Sequence, residues 1–232
     1  MSIFAIADLH LSFHTPKPMD IFGQGWQSHP QKIADAWRDR VADDDWVLLP
    51  GDFSWAMKPE EVRPDLDYLA SLPGSKVMIR GNHDYWWQTK AKMKQLLPPR
   101  VYALDRTAIG IPGHAVAGSR GWISPGSTLY ETEEDEKIYL RELGRFEASL
   151  QEASALGLPI IAMLHYPPTN ERHEPSGFSD LMERYGVRIC LYGHLHGESR
   201  KSALEGDVRG IRYHLVSCDH LGFSPLIISR CE

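Results

Sequence analysis

Short apolar runs alternate with amphipathic stretches along the chain. The runs cover residues 3–7, 46–49, 76–79, 115–117, 159–164, 188–192, 211–216 and 226–229, and Gly, Pro or Asp bounds most of them. Runs of this length with β-branched residues read as buried strands. Between them, Ser28 as cap and Pro30 in the first turn open a helix that runs to about residue 40. Pro59-Glu60-Glu61 opens a second helix, residues 85–97 form a third, and residues 131–155 form a longer fourth. The fourth begins with Glu131, Glu133, Glu134, Asp135 and Glu136, a block that suits the positive end of a helix and reads as solvated surface, not as a metal site. Three long loops rich in Gly, Pro and aromatics lie at 13–27, 105–125 and 166–176. The expected architecture is α/β, a sandwich of two sheets flanked by helices, in one domain spanning 1–232.

The ends of the runs carry the chemistry. They terminate in Asp8-Leu9-His10, Pro50-Gly51-Asp52, Gly81-Asn82-His83-Asp84, His165 and Gly193-His194-Leu195-His196. Five strands thus deliver oxygen or nitrogen donors at the carboxyl edge, where open α/β sheets bind ligands. Asp8 and His10 are two apart, so an extended segment would point both side chains the same way, and His194 and His196 repeat the device. The 41 residues between His10 and Asp52, and the 29 between Asp52 and Asn82, each leave room for a crossover helix.

The donors comprise imidazoles, two carboxylates and one carboxamide, with no thiolate. That mixture suits Mn, Fe or Zn and not a Cys-rich structural zinc or an all-oxygen calcium cage. Seven donors exceed what one ion needs, so two divalent ions sharing a carboxylate are expected. Taken singly, each block also fits a turn, an Asx-turn or a hydrogen-bonded core histidine; the set of five at equivalent strand ends points to a site.

These blocks, in this order over residues 8–196, resemble the motifs of the calcineurin-like metallophosphoesterases. The resemblance implies a four-layer α/β/β/α sandwich. It implies that Asp8, His10, Asp52 and His196 hold one ion, and that Asp52, Asn82, His165 and His194 hold the other, with Asp52 bridging. It further implies a phosphoesterase acting on a phosphomonoester or phosphodiester through a metal-bridging hydroxide. His83, beside ligand Asn82, is expected to protonate the leaving group as general acid, with Asp84 orienting it; a further ligand or a packing residue are the other readings of His83. The alternative to an enzyme is a metal-stabilised scaffold of the same fold used for protein contacts.

Composition narrows the choice. Net charge is −6 with both signs mixed along the chain, which argues against nucleic acid as the main partner. A small phosphorylated substrate, a nucleotide among the candidates, remains. Cys190, Cys218 and Cys231 form no zinc spacing, and no run approaches a membrane span, so a cytoplasmic chain is expected. There is no nucleophile elbow, and Gly113 to Gly118 has a P-loop interval but continues Ser119-Arg120. Arg120 could clamp a phosphate or be an ordinary loop arginine. Trp26, Trp55, Trp86, Trp87 and Trp122 fit core and lid packing better than a stacking wall. His14, His29, His114, His173, His214 and His220 are taken as surface or core residues, with His173 near the mouth of the site.

Overall fold

Side chains alternate between two destinations along the central strands, and that alternation builds the layers. In the computed structural model, which describes residues 1–131 and 133–230, Ile3 and Ala5 of β1 (Ser2–Ala5) face one core while Phe4 faces another. The strands β2 (Trp46–Leu49), β3 (Ser75–Met78) and β4 (Val101–Ala103) follow β1 in parallel. Helices α1 (His29–Arg40), α2 (Arg63–Ala70) and α3 (Lys90–Leu96) make the crossovers. A second sheet begins with the antiparallel pair β5 (Ala108–Ile111) and β6 (His114–Ser119). It continues in parallel through β7 (Ile160–Leu164), β8 (Ile189–Tyr192) and, after the edge strand β9 (Gly206–Val208), β10 (Ile211–Leu215). Finally β11 (Leu226–Arg230) returns antiparallel to β1. The sheets run β11-β1-β2-β3-β4 and β5-β6-β7-β8-β10-β9.

Three apolar layers hold this stack. Ile33, Trp37, Leu66, Leu69 and Met93 from the first three helices pack on Phe4, Val47, Leu49 and Met78. Tyr139, Phe146 and Leu150 of α4 (Glu133–Ala155), with Phe178 and Met182 of α5 (Gly177–Arg184), pack on the other sheet's outer face. Between the sheets lie Ile3, Leu48, Val77, Val116, Ile161, Met163 and Leu191. Each such fully buried large side chain contributes about 1.5–3 kcal/mol. The expected two mixed sheets flanked by helices are present.

Several local expectations need correction. Ser28 precedes α1 in a left-handed conformation (φ 53°) and its side chain caps nothing; Pro30 does sit in the first turn. Residues 59–61 form a turn, and α2 starts later, with Pro64 in its first turn. The third helix begins at Lys90 because Asp84 and the buried Trp86 hold the preceding residues in a turn. The segment 105–125 contains the β5–β6 hairpin, turned at Pro112-Gly113. Cys190 and Cys218 are buried free thiols, and Cys231 lies outside the described residues. No helix is long and apolar enough to cross a membrane among the described residues.

Candidate metal centre

At their carboxyl ends the two sheets are stitched together. Ala7 N–H donates to the Val216 carbonyl at 2.7 Å, and Cys218 N–H donates to the Ala7 carbonyl at 3.0 Å. Within the first sheet, Asp8 N–H reaches the Gly51 carbonyl at 3.0 Å and His10 N–H the Asp52 carbonyl at 3.1 Å. Motif residues far apart in the chain are thereby backbone neighbours.

The side chains converge through sharp turns, not through strand alternation. Asp8 (φ 59°), His10 (φ 45°), Asp52 (φ 51°) and His194 (φ 73°) all occupy the left-handed region. Non-glycine residues there cost on the order of 1–3 kcal/mol each and cluster at functional sites. The extended-segment account of Asp8/His10 and His194/His196 is therefore corrected: the chain kinks at each strand end and swings its donor inward. The neighbouring glycines make that approach possible. A Cβ on Gly81 would fall inside Asp52, and one on Gly193 would fall against the Asp8 carboxylate.

The seven expected ligands come together in one cluster. Asn82 Oδ1 lies 2.6 Å from His165 Nε2 and 3.0 Å from His194 Nδ1, and those two nitrogens are 3.3 Å apart. His196 Nε2 lies 3.6 Å from Asp8 Oδ1. Asp52 Oδ2 stands between the two groups, 3.8 Å from His10 Nε2 and 3.4 Å from His165 Nε2. Its other oxygen, Oδ1, accepts the His83 N–H at 2.8 Å. Two overlapping donor sets able to hold a metal ion result: Asp8, His10 and His196, and Asp8, Asp52 and His165. In the second set His165 Nδ1 donates to the Pro50 carbonyl at 3.1 Å, so Nε2, the atom facing Asp52 and Asn82, is the nitrogen that can give a lone pair to an ion once deprotonated.

Electrostatics match a cation. Burial opposes ionisation of Asp8 and Asp52, yet the surrounding imidazoles hold both below the usual carboxylate range. Burial likewise opposes a charged His165 and His196, but Asp52 and Asp8 overcome it and raise them to about 9 and about 10. At His10 and His194 burial outweighs the pull of the same two carboxylates, and they fall to about 4 and about 3. Two buried carboxylates thus demand positive charge, which protons or metal ions can supply. His196 Nε2, buried and without a hydrogen-bond partner, faces Asp8 and fits a cation between them.

Three residues change the picture drawn from sequence. Asp84 does not orient His83. Its buried carboxylate accepts hydrogen bonds from the N–H groups of Phe53, Ser54 and Gly81 and from Trp86 Nε1, so it braces the two motif loops against each other. His83 Nδ1 has no hydrogen-bond partner, and the ring packs 4.2 Å from the Trp55 ring. Burial lowers the His83 pKa while Asp52 pulls it back, which makes its imidazolium a stronger acid and a scarcer one at neutral pH. Asp219, which sequence reading passed over, accepts from His196 Nδ1 at 2.8 Å and from Gly197 N–H at 3.2 Å. Only a Cys-Asp pair just after β10 marked it, and no spacing links that pair to His196.

The aromatic residues mostly pack, as expected. Trp26 and Trp86 are buried; Trp55 stacks on His10 at 4.9 Å, and Trp26 lies edge-on to His196 at 5.5 Å. Trp122 donates to Asp135 Oδ1 at 3.1 Å and packs against Tyr166, which in turn lies 4.2 Å from the His194 ring. Arg120 offers its carbonyl to the His165 and Tyr166 N–H groups, while its guanidinium turns to Glu142 at 3.4 Å. His29 is a core histidine bonded to the Trp26 and Leu9 carbonyls, and His173 bonds the Ser202 carbonyl.

A family model described as calcineurin-like phosphoesterase matches residues 1–198. The chain belongs to that family. Metal-dependent phosphoester hydrolysis is accordingly the chemistry of this calcineurin-like phosphoesterase. Among solved structures, the enzyme is similar to a phosphopantetheinyl hydrolase from Mycobacterium tuberculosis at 14% identity and a TM-score of 0.57, covering 98% of this chain and 95% of that one. It is also similar to a protein of unknown function from Aquifex aeolicus at 14% identity and a TM-score of 0.50, covering 97% and 95%. At that identity both likenesses concern the fold. Among curated proteins no sequence matches it.

Proposed function

We propose that this calcineurin-like phosphoesterase is a binuclear enzyme that hydrolyses a small phosphomonoester or phosphodiester. The observation that carries the reading is the position of Asp52, whose Oδ2 lies between an imidazole of each donor group. In this reading Asp8, His10, Asp52 and His196 hold one divalent ion and Asp52, Asn82, His165 and His194 the other, with Mn, Fe or Zn compatible with the donors. Two such ions supply an activated water and a clamp on the phosphoryl oxygens.

The chain's own residues do the rest. Pro50 and Asp219 fix the tautomers of His165 and His196, so that Nε2 of each faces the centre. The His83 imidazole, free at Nδ1 and held by its backbone to Asp52, delivers a proton to the leaving oxygen. Trp55 backs that ring and keeps water off one face. A cavity of about 80 Å³ lined by Tyr166, Pro167 and His194 adjoins the donor cluster.

Function is tested by a panel of small mono- and diesters plus a phosphopeptide, assayed with Mn and then with chelator. Turnover of small esters that needs Mn, disappears with chelator and exceeds phosphopeptide turnover is expected. Failure on every ester would return the scaffold alternative. Asp219→Asn tests the support of His196: the amide no longer favours the required tautomer, and Mn affinity is expected to fall about 10–100-fold with the fold intact. Titration of the variant with Mn, followed calorimetrically, checks it; wild-type affinity would show that Asp219 does not position the ligand.

A further inference from the structure

Beside the metal centre, and separate from it, lies a cleft of about 530 Å³ between the carboxyl ends of β3, β4 and β6 and the α4 helix. Six cationic side chains line it: Arg80, Lys90, Arg106, Arg120, Arg141 and Arg145. Among the described residues only two acids, Asp105 and Glu142, line it with them, which leaves four positive charges in excess on a chain whose net charge is −6. None of the seven metal-centre donors lines this cleft.

The internal pairing does not neutralise it. One oxygen of the buried Glu142 is shared by Arg120 at 3.4 Å, Arg141 at 3.5 Å and Arg145 at 3.7 Å. All three distances are long for charge-assisted hydrogen bonds, which run near 2.7–2.9 Å. Arg106 pairs with Asp105 at 3.5 Å, and among the described residues no acid lies within ion-pair distance of Arg80 or Lys90. The Nε atoms of Arg80 and Arg120 are buried and have no hydrogen-bond acceptor. Buried guanidinium donors without acceptors call for an explanation, and planar forks of this kind match phosphate oxygens.

We propose that this cleft is a second, metal-independent anion site that takes a diphosphate group. Two linked phosphates carry about −3 at neutral pH, which suits the excess charge better than a single carboxylate or phosphate. The cleft shares Trp87, Lys90, Leu104 and Asp105 with an adjoining apolar groove of about 930 Å³, so a diphosphate attached to a larger group is accommodated as well as a free one. Binding there ties Arg80, two residues before Asn82, to Arg120, whose carbonyl anchors His165 and Tyr166. The site thus braces two ligand-bearing loops without touching a metal.

The test uses methylenediphosphonate, which a phosphoesterase cannot cleave, titrated calorimetrically into the full chain as purified and again after chelation. One binding event that survives chelation is expected. Arg141→Gln/Arg145→Gln, both on the outer part of α4, should weaken that event at least about tenfold, the scale of one lost charge-assisted contact. Lys90→Gln serves if the double variant proves unfolded by circular dichroism. The α,β-methylene analogue of ADP, run in parallel, identifies the source: tighter binding than methylenediphosphonate assigns an esterified diphosphate, and equal or weaker binding assigns the free anion. Loss of all binding on chelation, or affinity unchanged in the folded variants, overturns the proposal and leaves the phosphoesterase reading untouched.

Discussion

Asp52→Asn is expected to strip metal from both halves of the centre at once, while His196→Ala empties mainly one. The carboxamide preserves the side-chain shape, and its oxygen can still accept the His83 N–H. What disappears is the negative charge that Oδ2 presents to His10 and His165 together. Elemental analysis at saturating Mn should find about two ions per wild-type chain and a deficit in Asp52→Asn that exceeds the His196→Ala deficit. Turnover of the Asn variant should fall by on the order of 10³ or more, because even one oxyanion donor is worth roughly 10²–10³. Identical metal losses in the two variants would falsify the bridging role, and at most one ion in the wild type would end the binuclear reading.

His83→Asn separates proton transfer from metal binding. The imidazole makes no hydrogen bond through Nδ1, and only its backbone touches Asp52. Both ions should therefore stay in place while turnover drops by about 10²–10⁴, the range for one acid–base residue. The loss should be small for a nitrophenyl ester, whose leaving group scarcely needs a proton, and large for an alkyl ester, whose alkoxide leaves poorly. Metal content and the two rate ratios are measured on the same preparations. A stripped ion would make His83 a ligand, and equal losses on both esters would remove it from the proton path. Asp84 needs separate treatment, since its carboxylate is committed to the Phe53, Ser54 and Gly81 N–H groups. Its replacement should disturb the loops and not the leaving-group dependence.

The linear order of residues determined the strands, the two-sheet architecture and the donors, because each depends on local pattern. Apolar runs of three to six residues found eight of the strands. They missed β4, β5 and β9, edge strands of which the first two bury one residue each and the third none. The helix over 177–184 was missed, although Ser176 as cap and Phe178, Leu181 and Met182 at helical spacing mark it. The order of Asp8, His10, Asp52, Asn82, His165, His194 and His196 was enough to name them as a set, since their types and strand-end positions are properties of the chain itself.

Orientation was decided only by the tertiary structure. Left-handed turns at Asp8, His10, Asp52 and His194 aim the donors, and nothing in an L-residue's identity announces that its backbone will be held there. Asp84 turned to backbone N–H groups because the motif loops carried donors that needed an acceptor once buried. Asp219 meets His196, 23 residues away, because the neighbouring parallel strands β8 and β10 end side by side. The basic cleft is the furthest from the sequence: Arg80, Arg120 and Arg145 stand on three different elements, and their charges sum only after both sheets and α4 have packed. Composition had averaged them away, since a net charge is a property of the whole chain and a field is a property of the surface where charges meet.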